Sequence, residues 1–447
     1  MSKKTQNSSI LLILLFIVII ALVNSTQNMI SPNLEDISIY FGFGGATSQL
    51  GALTFVFMFI SGLSIAIFGY FADKITRKWL VVLGSLVYSI SSILTMFVAE
   101  GTIGFYTFLF FMALDGVGFG IIIPSIFSLI GDLIKQEERS KGFSFFSIAS
   151  IFGMAVGLGL STGLGDVDWR LSFFIVGIIG LICACISLLF QEPSRVGKDF
   201  TFLTEKKSVD YTYRIKITDF KVIFKKKSNI WLIINFVDTI PTGIIMFLLY
   251  EYMEDYHNIS NDTTLIILIF ILLSTLIGTV VFGYRGDKQF QEGNKKARVR
   301  LALWGAVLPI PFVFSALIVP FRFPPNASIG ALFTIPGAII MILLLVIGIF
   351  INGAVNGSWY ATIVDINLPE HRGTVLATAN LCDIMGKAIG PLVGSLMVDS
   401  FGYLSGMMIS IVFWTMIPLF WIPVLKNIVP EMELTEEIFK ERLEKLS

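Results

Sequence analysis

Apolar runs of about twenty residues recur along almost the whole of this chain, twelve of them between residues 9 and 427. That is the length of helix needed to cross a hydrocarbon core of about 30 Å. A helix also satisfies its own backbone hydrogen bonds where lipid offers no partners. Composition agrees: of 447 residues 55% are hydrophobic and 14% charged, where a soluble chain carries about 25% charged residues. The chain therefore reads as an all-α polytopic membrane protein with twelve transmembrane helices.

The runs fall as six, a break, then six. The spans are read at 9–31, 46–70, 79–99, 103–131, 141–164 and 169–190, then at 229–251, 262–284, 299–320, 331–364, 374–397 and 401–427. This gives two six-helix bundles, 1–190 and 229–427, joined by a polar linker over 191–228 that is rich in lysine (Lys206, Lys207, Lys216, Lys221, Lys225, Lys226, Lys227). The tail, 428–447, carries Leu434, Ile438, Leu443 and Leu446 among charges and reads as a short amphipathic helix after the last span. The first run, Ile10 to Ile30, is too long for a signal h-region and is read as a span. Threading the loops alternately puts every Lys and Arg on one side except Arg170, Arg322 and Lys387, while Glu251, Glu254, Asp255 and Asp262 lie opposite. Positively charged loops stay inside, so linker, tail and both termini are expected in the cytoplasm, with the chain multi-pass in the cell membrane.

The two halves repeat one another. Gly69-Tyr70-Phe71-Ala72-Asp73-Lys74-Ile75-Thr76-Arg77-Lys78 closes the second span, and a degraded copy, Gly283-Tyr284-Arg285-Gly286-Asp287-Lys288, closes the eighth. Asp132 and Arg139 stand seven residues apart, as do Asp365 and Arg372. In the following spans Gly153 and Gly157 match Gly386 and Gly390, and Asn24 in span one aligns with Asp238 in span seven. Two pseudo-symmetric bundles are expected.

These motifs resemble the major facilitator superfamily over nearly the full length. Its signature between spans two and three is filled by Gly69, Asp73, Lys74, Arg77 and Lys78, with Thr76 in place of a second glycine. The resemblance implies alternating access. Its conformational gate would be built from those five residues with Gly283, Asp287, Lys288, Asp132, Arg139, Asp365 and Arg372. Asp73 could pair with Arg77 one turn on or face the amino end of a helix in the other half. In span four, Gly116-Val117-Gly118-Phe119-Gly120 and Pro124 fit the family. The family's embedded arginine falls at Met112, however, and Asp115 stands where glutamine is common. Asp168-Trp169-Arg170 and Glu192-Pro193-Ser194-Arg195 resemble the Spinster-like lipid carriers, while the acid-base pair of their first span is Gln27-Asn28 here.

Ionisable side chains within spans cost roughly 2.5–3.5 kcal/mol at a helix centre and point to function. Asp238 and Asp115 lack partners in their own helices and are the candidates for carrying a proton; the alternative is a hydrogen-bonded structural acid. Asp383 and Lys387 lie four apart on one helix face, either as a structural ion pair or as an anchor for an anionic headgroup. Asp238-Thr239-Ile240-Pro241 looks like a broken helix, which would expose backbone groups for binding. Asn24, Gln27, Asn28, Asn352, Asn356, Trp359 and Tyr360 are further substrate candidates, the alternative being interhelical ties.

Enzyme signals are missing. His257 and His371 fall in loops on opposite sides, Cys183, Cys185 and Cys382 lie inside apolar runs, and there is no phosphate-cradling glycine loop. No cofactor, metal or nucleic acid is expected. The short sequons at Asn258 and Asn326 carry little weight. The expected function is secondary active transport of a small organic solute or amphiphile by a monomer, coupled to protons. A passive facilitator, a Spinster-type lysolipid exporter and a non-transporting sensor remain as alternatives.

Overall fold

The computed structural model describes residues 3–133, 139–192, 219–325 and 327–446. The side chains of Asp73, Lys74, Asp132 and Arg139, most of the expected linker (193–218) and Asn326 lie outside the described residues. Among the described residues every regular element is helical. Among the described residues eleven helices are long and apolar enough to span a bilayer, and a shorter apolar helix, Ala149–Gly165, makes the twelfth.

The chain divides into two compact units. The first comprises Met1–Lys207, Met246–Glu251 and Pro391–Ser400; the second comprises Ser208–Ile245, Tyr252–Gly390 and Phe401–Ser447. In the first, α1 (Lys3–Ser25) runs into a 3-10 turn at Thr26–Asn28 and is followed by the short α2 (Leu34–Tyr40). Then come α3 (Ser48–Lys74), α4 (Arg77–Thr95), α5 (Gly101–Leu133), α6 (Arg139–Gly165) and α7 (Arg170–Ser187). Here α5 packs on α3 and α4, α4 on α7, and α1 on α6.

In the second half, α8 (Asp219–Lys225) and α9 (Lys227–Ile234) lead through a 3-10 turn at Asn235–Asp238 into α10 (Thr239–His257). There follow α11 (Asn261–Gln291), α12 (Ala297–Val307), α13 (Pro309–Leu317), α14 (Pro336–Ile366), α15 (Pro369–Phe401) and α16 (Tyr403–Leu446). The seventh span is thus broken at Asp238, as its sequence suggested. The helix α14 packs on α11, α12 and α13, and α16 packs on α9 and α12, which repeats the pairing scheme of the first half.

The matched glycines explain how the repeat is built. A Cβ at Gly153 or Gly157 would fall closer than 3.0 Å to the backbone oxygens of Ala21 and Ser25 in α1. A Cβ at Gly386 or Gly390 would meet the oxygens of Phe236 and Ile240 in the same way. In each half, therefore, the fifth helix lies backbone-on-backbone against the first, an approach that only small residues permit.

Three expectations are corrected. The tail is helical but continuous with the last span: α16 runs unbroken through Pro418, Pro423 and Pro430. It is held because its apolar and hydroxyl face docks, with Met432 and Thr435 buried and the Thr435 hydroxyl donating to the Ile366 carbonyl at 2.8 Å. His257 is not in a loop but ends α10, buried, with Nδ1 against the Phe321 carbonyl at 3.0 Å and Nε2 against the Tyr252 hydroxyl at 3.2 Å. His371 is likewise buried and lies in the first turn of α15.

Candidate functional site

The break in the seventh span sets one side of the polar cluster in the second unit. Because Asn235–Asp238 is a 3-10 turn rather than α-helix, α9 and α10 are joined at a point where Thr239 faces α15. The Thr239 hydroxyl lies 2.8 Å from both the Phe236 and the Asp383 carbonyl oxygens. One turn further along α15, Lys387 Nζ donates to Asp383 Oδ2 at 2.9 Å, the acid-first pair anticipated from the four-residue spacing. Asp238 interacts electrostatically with both Asp383 and Lys387, and Tyr360 of α14 with the same two groups. The Tyr360 hydroxyl donates to Asn380 Oδ1 at 2.9 Å.

Two carboxylates, one ammonium and a phenol from three helices therefore form one cluster. The Lys387 and Asp383 side chains keep 40% and 23% of their exposure, so the group is reachable and not sealed. Such a cluster can exchange a proton, and it offers both signs of charge to a ligand.

The other sequence candidates separate around it. Trp359 is buried and donates its indole N–H to the Leu232 carbonyl at 2.9 Å, which ties α14 to α9. Asn352 reaches the Gly305 carbonyl at 3.4 Å, again between helices. Asn356 and Tyr360 are exposed. In the first unit, Asn24 donates to the Ile20 carbonyl at 2.8 Å within its own helix, Gln27 reaches Asn24 Oδ1 at 3.4 Å, and Asn28 is buried. Asp115 is fully buried and is enclosed by α4: the Ser91 hydroxyl donates to it, and Ser92 Oγ lies 3.3 Å from both of its oxygens. It is not part of the Asp238 cluster.

At the lysine-rich ends, the repeated motif uses partners that local spacing did not reveal. The Arg77 side chain, 3% exposed, donates Nε to Glu192 Oε1 at 2.9 Å and Nη1 to Ser128 Oγ at 2.9 Å. Glu192 also accepts the backbone N–H groups of Arg77 and Lys78. Burial works upward on the Glu192 carboxyl, but the Arg77 guanidinium and these amides outweigh it and hold its pKa below the usual range. In the second half Arg298, one residue into α12, bridges Asp287 at 2.7 Å and Asp365 at 2.5 Å. Arg372 donates to the Val364 and Asn367 carbonyls at 3.1 Å. Gly69 packs near Pro124, while Gly283 has open space around it. Glu192 and Arg298 were missed by sequence reasoning. Arg298 stands eleven residues after Asp287, whereas Arg77 stands four after Asp73, so the repeat did not mark it.

The Major Facilitator Superfamily model matches residues 13–338 and 231–444, so each half carries the pattern. The chain belongs to the Major Facilitator Superfamily. It is a multi-pass helical protein of that superfamily, with its twelve-helix fold. Among curated members it is 29% identical over 167 residues to protein spinster of Drosophila melanogaster, covering 36% of this chain and 26% of the relative. It is 26% identical over 150 residues to the quinolone resistance protein NorA of Staphylococcus aureus, covering 33% of this chain and 37% of the relative. The matched segments thus span 26% and 37% of those relatives' own length. Among solved structures of the superfamily fold, an inward-facing, unoccupied bacterial homologue of the human lysosomal transporter Spinster superposes with a TM-score of 0.78 at 16% identity. That match covers 95% of this chain and 98% of the other. A D-xylose-proton symporter gives 0.70 at 18% identity, covering 94% and 98%.

Proposed function

We propose that this chain is a proton-coupled secondary transporter that moves a small organic solute or amphiphile by alternating access. The observation that carries the reading is the Asp238–Asp383–Lys387 cluster. Asp383 is matched to Lys387 at 2.9 Å, which leaves the Asp238 carboxylate without a cation of its own in that group. A proton neutralises it; loss of the proton restores a charge that disfavours an apolar surrounding. Asp238 thereby loads and unloads the coupling proton, and the Asp383–Lys387 pair with Tyr360 forms the polar wall for substrate. Substrate charge competes for Lys387 or for Asp383, which links substrate occupancy to the proton on Asp238.

A small organic substrate is supported by the names of the relatives, a quinolone resistance protein and a D-xylose-proton symporter. The chain acts as a monomer in the cell membrane with both termini cytoplasmic. Asp115, caged by Ser91 and Ser92, is the secondary candidate for proton binding and lacks the access that the Asp238 cluster has.

The test is substrate-triggered proton movement in proteoliposomes, read by a pH dye across a panel of lysolipids, organic cations and neutral metabolites, with Asp238→Asn alongside. The expected result is a dye response to one class that the variant loses while it still binds the compound. Uptake without a dye response would overturn coupling and leave a passive facilitator. Binding without flux would leave a sensor.

A further inference from the structure

Asp115 stands at the midpoint of the span Gly101–Leu129 and is fully buried. A bare carboxylate at that depth is costly and calls for a compensating positive charge. Among the described residues no Lys, Arg or His acts on it. Its partners are hydroxyls of α4: Ser91 donates to Oδ1, and Ser92 Oγ lies 3.3 Å from Oδ1 and 3.3 Å from Oδ2. The hydroxyl protons are too few for the oxygens around them. Ser91 has one proton and faces three acceptors: Asp115 Oδ1, the Val87 carbonyl at 2.8 Å and the Tyr88 carbonyl at 2.9 Å. The Tyr88 hydroxyl donates to the Leu22 carbonyl at 2.6 Å, as does the Ser25 hydroxyl. Tyr88 also interacts with Asp115 and Ser92, and with its proton committed to Leu22 it meets them as an acceptor. The single proton of Ser92 cannot serve both carboxylate oxygens and the phenol.

The spacing has a second meaning. A hydroxyl that donates to a carboxylate approaches to about 2.5–2.7 Å, whereas Ser92 Oγ stands back at 3.3 Å from both oxygens at once. Hard cations of the size of Ca²⁺ and Na⁺ hold oxygen at about 2.3–2.6 Å, which sets ligands at right angles about 3.3–3.7 Å apart. The Ser92 spacing is therefore that of two neighbouring ligands on one small ion. All the donors are oxygen, as such an ion prefers. One carboxylate carries one negative charge, so a monovalent ion leaves the site neutral within an apolar span, while a divalent ion would leave it charged.

We propose that Asp115 and Ser92 form a Na⁺ site inside the first unit, with Ser91 fixing the carboxylate and Tyr88 Oη supplying a further oxygen. The ion joins α5 to α4, and through the Tyr88–Leu22 hydrogen bond its surroundings reach α1. Asp115 then holds sodium where a proton was the alternative. The site is separate from the Asp238 cluster, so it stands or falls independently of proton coupling there.

The test uses the full chain purified in sodium-free buffer. Thermal unfolding is followed in NaCl, KCl and choline chloride at equal ionic strength, and binding of radioactive sodium is read in parallel. The midpoint is expected to rise and saturate with Na⁺ and to stay level with K⁺ and choline. On acidification the Na⁺ half-saturation should weaken, approaching about tenfold per pH unit, because a proton competes for the same carboxylate. Asp115→Asn should abolish both signals and Ser92→Ala should weaken half-saturation about tenfold or more, while Asp238→Asn keeps them. If Asp115→Asn does not fold, Ser92→Ala decides. Equal midpoints in the three salts with no sodium binding would overturn the proposal and leave Asp115 a proton alone. Sodium signals unchanged in the folded Asp115→Asn or Ser92→Ala variant would overturn it too, by placing the ion elsewhere.

Discussion

Glu192→Gln is the sharpest test of how the Gly69–Lys78 motif is held. The carboxylate accepts Arg77 Nε at 2.9 Å, the Arg77 N–H at 3.2 Å and the Lys78 N–H at 3.3 Å, with side-chain exposures of 15% for Glu192 and 3% for Arg77. The substitution keeps the shape but removes the charge that faces the buried Arg77 guanidinium, which also donates to Ser128. Hydrogen bonds to charged groups contribute about 1.5–3 kcal/mol and breaking a buried pair costs about 3–5 kcal/mol. Because Glu192 is partly wet, the expected loss is about 3 kcal/mol. It would be measured by SDS titration of the folded protein with Arg77→Met and the double variant in a cycle. The double variant should be less destabilised than the sum of the singles, because removing Arg77 removes the uncompensated charge. The sign with pH follows from the lowered Glu192 pKa: the stabilisation is present above the unfolded value and lost as pH falls through the folded one. Glu192→Gln should abolish that acid dependence. A coupling energy below about 0.5 kcal/mol, the range of independent sites, would refute the reasoning.

Two further outcomes test the packing and the base of the second unit. Gly157→Val and Gly390→Val are each expected to abolish folded yield in fluorescence-detected size exclusion. Gly163→Ala, where a Cβ meets nothing within 4 Å, should elute as the parent does. Lys226 donates to the Ile366 carbonyl and to Thr435 Oγ1, and burial pushes its pKa down from 10.5 to about 8. Between those values the unfolded chain holds a proton that the folded chain has released, so stability should rise with pH from about 8 to 10. Lys226→Met should flatten that rise in a thermal-shift series.

Glu192 and Asp399 also show where sequence reasoning stopped. Helix count, the two-half plan and the matched glycines were legible because each is periodic or repeated: twenty apolar residues have one stable form in lipid, and Gly153, Gly157, Gly386 and Gly390 recur at equal spacing. The acid-base pair Asp383–Lys387 was legible because a helix places residues four apart on one face. The break at Asp238 could be read from Asp-Thr-Ile-Pro. Long-range pairings carry no such local signature. Arg77 meets Glu192 across 115 residues and Thr47 meets Asp399 across 352, distances over which a single sequence holds no periodicity.

The apolar residues spaced among charges in the tail predict a short amphipathic helix after the last span. Only the docking of Thr435 and Met432 beside Ile366 and Lys226 decides that α16 continues. The sequence alone thus determined the helices, their number, their repeat and which ionisable groups enter the apolar runs, since these follow from local chemistry in lipid. The tertiary structure alone decided which charges meet, because partner choice depends on how the helices are brought side by side.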